Sequence, residues 1–453
     1  MLQSVPTTAK AIDDYRAIVG EQRIDEICAQ AAPLKGARVL HLNATAYGGG
    51  VSELLSALVP LMRSVGIEAD WKLMVGAPEL WDCTKAMHNL LQGACLIPGI
   101  PSRTLAAGGP DLGAPQIFPP LIEACWNDGM AEIWKRYNEL TAREYEGDYD
   151  FVVVHDPQPV GMLDYLLRLR PGLGTTRFIW RCHIDLTNAN QQIWEFLRPY
   201  LAPYHAAIFT MQDYVKSDIP VDLIELIAPA IDPLSTKNSD LSEDEVRTIV
   251  SKFGVDPSRP LLCQVSRFDP WKDPLGVIDV YRQVKREIPA VQLAMVGSMA
   301  TDDPEAWRYY ELTARHAGTD ADVHILTNFL GVGNLEVNAF QRAADVVLQK
   351  SLREGFALTV SEALWKARPV VATAIGGIPL QVVSGHNGYL VHGNAECAQR
   401  VLELLRNSEL ARQFGLNARE HVRENFLVTR GLEDYLQLFG KLGRPMAVTP
   451  KAA

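Results

Sequence analysis

Short apolar runs alternate with amphipathic helical stretches along most of this 453-residue chain, and the series stops once and starts again. Apolar segments at 37–43, 67–75, 151–155, 178–182, 206–209 and 223–227 are separated by spacers long enough for helices. One spacer carries Val51, Leu54, Leu55, Leu58 and Met62 at helical spacing. Strands joined by helical crossovers are parallel and covered on both faces. The pattern breaks at 229–242, where Pro229, Pro233 and a polar run from Ser235 to Asp240 intervene. A second series follows, with strands expected at 261–265, 291–296, 323–326, 346–349, 370–373 and 389–391, then helix from 409 to about 442. A chain of this length exceeds what one core supports. The expected fold class is therefore α/β, with two tandem Rossmann-like, doubly wound parallel-sheet domains and a cleft between them. Their expected limits are 1–230 and 231–424. Residues 97–120, rich in proline and glycine, are expected to form a loop, and 446–453 a frayed tail.

Charge and cysteine usage narrow the partners. The formal net charge is -11, from 54 acidic against 43 basic residues, with no basic block. Nucleic acid and anionic membrane surfaces are therefore not expected partners. The N-terminus has neither the basic nor the apolar region of a signal peptide, and no apolar run approaches the ~20 residues that span a bilayer. A cytoplasmic location is expected. Seven cysteines, odd in number and without a Cys-x-x-Cys pair, are expected to be free thiols rather than a disulfide framework or a zinc site.

In open parallel sheets, ligands gather beyond the carboxyl ends of the strands, so polar residues just after each strand are the candidates. Gly48, Gly49 and Gly50 lie between a strand and a helix. They could bring backbone N–H groups close to a phosphate, or form an ordinary tight turn. Their spacing is not the Gly-x-Gly-x-x-Gly of dinucleotide-binding folds. Asp156 follows 151–155, and His183 and Asp185 follow 178–182. They read either as site lining or as helix caps and a hydrogen-bonded loop histidine. His41 and His155 fall inside apolar strands and read as core histidines. Arg267 and Lys272 follow 261–265, where a guanidinium fork and an ammonium suit a diphosphate; a solvated loop is the alternative. Glu354 and Glu362, with seven residues between them around an expected helix start, could accept sugar hydroxyls or cap the helix. Gly376 and Gly377 follow 370–373 and could approach a ligand or simply turn the chain.

Taken together and in this order, these motifs resemble the family-4 retaining glycosyltransferases of the GT-B fold. The resemblance covers most of the chain. It rests on Glu354 and Glu362, on Ser266-Arg267-Phe268 followed by Lys272, on the glycines at 48–50, and on Gly376-Gly377 followed by Asn387-Gly388-Tyr389-Leu390-Val391. The stretches His41–Val51, Val154–Pro159, Trp180–Leu186 and Gln264–Lys272 are most similar to the trehalose-forming branch of that family. The resemblance implies transfer of glucose from an NDP-glucose (UDP, ADP or GDP) to free glucose, giving trehalose, reversibly. It implies that Arg267 and Lys272 hold the diphosphate and that Glu362 binds the ribose. Glu354 would contact the donor glucose, His183 the region of its C1 and O6, and Asp156 a sugar hydroxyl. Gly48, Gly49 and Gly50 would approach the donor, with Asp185, Gly376 and Gly377 completing the substrate pocket. No cofactor is essential, no protein-held metal is expected, and Mg²⁺ could accompany the diphosphate. A homodimer is expected, and a C-terminal helix at about 425–445 is expected to pack back on the first domain. One departure is Leu380, which stands where many members carry a glutamate after the Gly-Gly-x-Pro element. Alternatives are a retaining trehalose phosphorylase, a family member with another acceptor, a non-catalytic sugar-nucleotide sensor, and, least compatible with the glycine pattern, a nicotinamide dehydrogenase.

Overall fold

The structure is a computed structural model that describes residues 2–47, 49–93, 125–171, 173, 175–299 and 304–443. Gly48, the loop expected at 97–120 and the tail expected at 446–453 lie outside the described residues. The chain divides into two units, one of Met1–Pro229 with Val428–Ala453 and one of Ala230–Leu427.

In the first unit the strands are β1 (Gln3–Ser4), β2 (Arg38–Asn43), β3 (Glu68–Leu73), β4 (Phe151–His155), β5 (Arg177–Arg181), β6 (Ala206–Phe209) and β7 (Ile224–Leu226). They form one sheet in the order β1-β3-β2-β4-β5-β6-β7. Every pairing is parallel except that of β1, which runs antiparallel to β3. The sequence pattern did not foretell β1, because two polar residues pairing through backbone alone carry no apolar period.

The apolar runs are continuous because both faces are covered. Leu40, Leu42, Val152, Val154, Phe178 and Trp180 enter one core layer. Val39, Phe151, Val153, Ile179, Ala206 and Ile208 enter the other. Successive side chains of a strand point to opposite faces, which sorts neighbours into the two layers. The helix Val428–Leu442 belongs to the second layer through Val428, Leu432, Tyr435, Leu436 and Phe439, an apolar stripe at helical spacing. Phe439 stacks on Phe151 with ring centroids 4.4 Å apart. Arg430 donates to the Ala228 carbonyl at 2.7 Å, and Lys441 pairs with Glu225 at 2.7 Å.

The second unit carries β8 (Leu261–Val265), β9 (Gln292–Gly297), β10 (Val323–Thr327), β11 (Val346–Gln349), β12 (Val370–Thr373) and β13 (Gly388–Val391). Its sheet is parallel throughout, in the order β10-β9-β8-β11-β12-β13. Both sheets reverse their winding direction once. In the first, β3 lies to one side of β2 and β4 to the other. In the second, β9 and β11 flank β8 in the same way. Loops leaving the two strands at such a switch diverge and open a crevice at the carboxyl edge. The expected α/β class of doubly wound parallel sheets is the observed one.

Cys28, Cys83, Cys182, Cys263 and Cys397 are free thiols, but Cys125 is disulfide-bonded. The expectation of free thiols throughout is thus corrected at Cys125, which no Cys-x-x-Cys spacing marks in the sequence. Among the described residues no helix is long and apolar enough to cross a membrane.

Truncating Phe439 to alanine removes a fully buried ring from the face of Phe151. Phe439→Ala should lower stability by about 3–5 kcal/mol. Denaturant unfolding checks this, and an unchanged midpoint would mean the C-terminal helix contributes nothing to the first unit.

Candidate active site

In the second unit the polar groups stand on the two loops that leave the switch, after β8 and after β11. The β8 loop is shaped locally. The Asp269 carboxylate accepts the Trp271 N–H at 3.0 Å and caps a short 3-10 turn, Pro270–Lys272. Asp273, left-handed at φ 45°, caps the following helix by accepting the Gly276 N–H at 3.1 Å. A Cβ on Gly276 would stand 2.0 Å from an Asp273 oxygen, so a side chain there would displace the capping carboxylate.

This turn sends Lys272 toward the β11 loop. Its Nζ lies 2.5 Å from Glu354 Oε2, and both side chains are largely buried. Ser351 Oγ donates to the same oxygen at 3.1 Å. Gln264, buried near the end of β8, ties the loops together. Its amide donates to the Lys272 carbonyl at 3.0 Å and its oxygen accepts the Lys350 N–H at 3.0 Å. Arg267 is different: its side chain is 63% exposed, with Asp269 Oδ2 at 3.4 Å. Burial pushes the Asp269 carboxyl above its ordinary range, against the pull of Arg267 and Lys272. The structure therefore brings Lys272 to Glu354, and leaves the Arg267 guanidinium open to solvent.

Glu362 sits inside the helix Leu358–Trp365 and is 1% exposed. Lys237 pairs with its Oε1 at 2.9 Å, while its Oε2 has no hydrogen-bond partner among the described residues. One turn on, the Lys366 ammonium donates to Asn238 Oδ1 and Gln341 Oε1, each at 2.9 Å, and to the Glu362 carbonyl at 3.1 Å. Burial pulls its pKa down to about 7. Gly376 is left-handed at φ 55°. Gly377 is packed so that a Cβ would meet the Gly355 carbonyl oxygen at 2.8 Å and Phe356 Cα at 3.0 Å. The Gly-Gly turn thus lets the β12 loop close on the loop that carries Glu354. Gln381 reinforces that closure by donating to the Phe356 carbonyl and accepting from Ser361 Oγ at 2.6 Å.

In the first unit the candidates follow β2, β4 and β5. Gly49 precedes the helix Gly50–Ser64, whose first turn is closed by Ser52 Oγ donating to the Gly49 carbonyl at 2.7 Å. Asp156 is held left-handed at φ 64°, a conformation that costs about 1–2 kcal/mol outside glycine. Three hydrogen bonds hold it there. Its N–H donates to the Arg181 carbonyl at 2.8 Å, its carbonyl accepts from Trp180 Nε1 at 3.1 Å, and its Oδ1 accepts the His183 N–H at 2.8 Å. Asp156 thus fixes the backbone from which His183 projects. Burial raises the Asp156 carboxyl from its ordinary 3.8 to about 7. Asp185 accepts the Thr187 N–H at 2.9 Å, a local turn contact. His183 Nε2 lies 3.0 Å from His155 Nδ1, and His155 Nε2 lies 3.0 Å from His41 Nδ1.

Sequence reasoning missed Lys237, Gln264, Ser351 and Lys366, and did not connect His41 and His155 to His183. Lys237 lay in the polar stretch taken as a domain boundary. Gln264 was visible inside the Gln264–Lys272 stretch but signalled nothing by itself. A cavity of about 540 Å³ in the second unit reaches Pro260, Leu261 and Asp345, at the starting ends of β8 and β11. It lies on the edge of the sheet opposite these candidates.

Two doubly wound units with cations, carboxylates and a histidine at their carboxyl edges define a glycosyltransferase of the GT-B fold. Residues 245–421 match the family model described as glycosyl transferases group 1, and residues 41–103 and 123–216 match that of the trehalose synthase N-terminal domain. The trehalose synthase of Rubrobacter xylanophilus is 48% identical over 98% of this chain and 99% of its own length. That of Thermococcus litoralis is 44% identical over 95% and 96%. Among solved structures, the Escherichia coli trehalose-6-phosphate protein bound with UDP-2-fluoro glucose superposes with a TM-score of 0.66 at 13% identity, covering 88% of this chain and 98% of that one. The chain belongs to the trehalose synthase family of group 1 glycosyltransferases.

Removing Lys272 leaves the Glu354 carboxylate without its counter-charge. Lys272→Met should therefore cost more stability than the pair Lys272→Met/Glu354→Gln costs beyond Glu354→Gln alone. A coupling of about 1–3 kcal/mol is expected from a denaturation double-mutant cycle, and strict additivity would contradict the pairing. Asp156 sets a pH dependence. Its folded pKa is raised, so between pH 4 and 7 the folded state binds more protons than the unfolded one, and stability falls as pH rises through that window. The fall should be roughly 2–4 kcal/mol and should flatten in Asp156→Asn, as read from unfolding midpoints across pH.

Proposed function

We propose that the chain transfers a glucosyl unit from an NDP-glucose to free glucose with retention of configuration, giving α,α-trehalose and NDP, and that it works in both directions. The observation that carries this reading is the placement of Arg267 and Lys272 at the carboxyl edge of the second sheet, at its winding switch. Near-full-length likeness to proteins named trehalose synthase supports the product. A structural neighbour bound with UDP-2-fluoro glucose supports a nucleotide-sugar donor.

In this reading Arg267 grips the diphosphate with its solvent-open guanidinium, and Lys272 supplies a point charge whose position Glu354 sets. Both stabilise the negative charge that grows on the leaving phosphate. A carboxylate has about four acceptor sites, so Glu354 also takes a hydroxyl of the donor glucose while holding Lys272. Glu362 Oε2, which has no hydrogen-bond partner among the described residues, accepts a ribose hydroxyl. Gly49, Gly376 and Gly377 keep loop backbone near the donor. In the first unit His183 faces the sugar, and Asp156 holds the His183 backbone. The acceptor hydroxyl oxygen bonds to C1 as the bond from C1 to the phosphate oxygen breaks. The departing phosphate oxygen takes the hydroxyl proton on the same face. This scheme assigns no step to a metal, and Mg²⁺ can accompany the diphosphate.

The purified chain given UDP-, ADP- or GDP-glucose with glucose should yield a non-reducing disaccharide by NMR. No product from any donor, with glucose 1-phosphate released from trehalose and phosphate instead, would overturn the reading in favour of a phosphorylase. Arg267→Ala should lower kcat by roughly 10²–10³, the loss of one transition-state donor; wild-type turnover would remove Arg267 from the clamp.

A further inference from the structure

Three histidines of the first unit form a continuous chain through the sheet. His41 is buried within β2, His155 ends β4, and His183 stands two residues beyond β5. The contacts are His41 Nδ1 to His155 Nε2 and His155 Nδ1 to His183 Nε2, each 3.0 Å. At the buried end, His41 Nε2 lies 3.4 Å from Met62 Sδ. The parallel register produces the diagonal: His41 stands opposite Val153, so His155 is two residues farther along, and His155 stands opposite Arg181, two before His183.

We infer that the Met62–His41–His155–His183 chain is a one-way hydrogen-bond relay that locks His183 with its proton on Nε2 and leaves Nδ1 a bare acceptor for a sugar hydroxyl. Proton counting carries the inference, with tautomers assigned from the heavy-atom network. Three neutral imidazoles hold three ring protons. A thioether sulfur has no proton to give, so His41 must donate to it from Nε2, which leaves His41 Nδ1 bare. His155 must then donate from Nε2 and accept at Nδ1, and His183 must donate from Nε2. All three protons are used, and none remains for His183 Nδ1. The reverse polarity would set two lone-pair-bearing atoms, His41 Nε2 and Met62 Sδ, against each other with no donor, a buried unsatisfied acceptor.

The environment keeps the rings neutral, as the counting requires. Burial pulls His41 down to about 3, and burial with neighbouring positive charge holds His155 and His183 well below the ordinary histidine value. Among the described residues, the hydrogen bond of the His183 ring is the one between its Nε2 and His155 Nδ1. His41 and His155 are thus positioning residues that act through His183. A ligand that presents a hydroxyl donor at that nitrogen is favoured over one that presents only an acceptor. The sugar half of this inference rests on the proposed function; the tautomer half does not.

The test is long-range ¹H–¹⁵N correlation on the full chain with ¹⁵N-labelled histidine, at neutral pH and without ligand. A single His183 species with bare Nδ1 is expected; an Nδ1–H form or an imidazolium would overturn the relay. Cutting the chain with His155→Phe should turn His183 into a mixture of tautomers, the bare-Nδ1 share falling relative to the other by about 5-fold or more. A His183 still locked in that variant would show that the chain does not set it. Monofluoro and deoxy glucose analogues then test the sugar half. One hydroxyl position should lose at least about 5-fold in kcat/KM when it can no longer donate, and His183→Phe should erase that difference. Equal use of all analogues, with the tautomer confirmed, would remove His183 from the sugar and leave the relay standing.

Discussion

A parallel sheet covered on both faces has one place to keep unpaired polar groups, and that constraint organises both units. Interior strand residues enter one core layer or the other, as Val153 and Val154 do. Polar side chains in those layers need partners within reach, because an unsatisfied buried group costs about 1–3 kcal/mol. The carboxyl edges escape the constraint, since the loops there diverge wherever the winding reverses. Arg267, Lys272 and Glu354 stand beyond β8 and β11, and Asp156 and His183 beyond β4 and β5. The same topology that makes the core dry makes the edges chemical.

How much of this could be read from the residues differs with the range of the interaction. The apolar runs marked β4, β6, β8, β11 and β12 because burial on both faces writes itself into consecutive positions. The helix after Ala357 was announced by Thr359 to Trp365. Positions of Lys272 and Glu354 followed from their strands, but their pairing did not, because it joins residues 82 apart through two loops. Lys237 and Glu362 are separated still further. Gly377 reads in the sequence as a close approach to a ligand or a plain turn, and its neighbours show a packing requirement against Gly355 and Phe356. Asp185 reads in the sequence as site lining or a cap, and its carboxylate accepts the Thr187 N–H in a local turn. Pairing over long separations is set by register and loop direction, which no local period encodes.

The two edges differ in the currency of their polar groups. In the second unit they carry formal charge, arranged as close pairs: Lys272 with Glu354 and Lys237 with Glu362. Such pairs hold side chains in defined places more than they stabilise the fold, because desolvation offsets much of their attraction. In the first unit the three histidines are kept neutral. The Asp156 carboxyl is raised to about 7 and the three histidines are held below their ordinary value, all chiefly by burial.

That neutrality is what gives the histidine chain a direction. A charged imidazole would carry two ring protons and could donate from either nitrogen, so the sulfur of Met62 would no longer dictate the rest. With neutral rings, one atom that can only accept fixes every proton above it. The fixed end is then an acceptor and not a cation, so it can orient a hydroxyl but cannot neutralise a phosphate. Under the proposed transfer, the charge that grows on the departing diphosphate falls to Arg267 and Lys272. The first unit is left to choose and orient the sugar. The division follows from where each sheet buries its polar groups, before any ligand is considered.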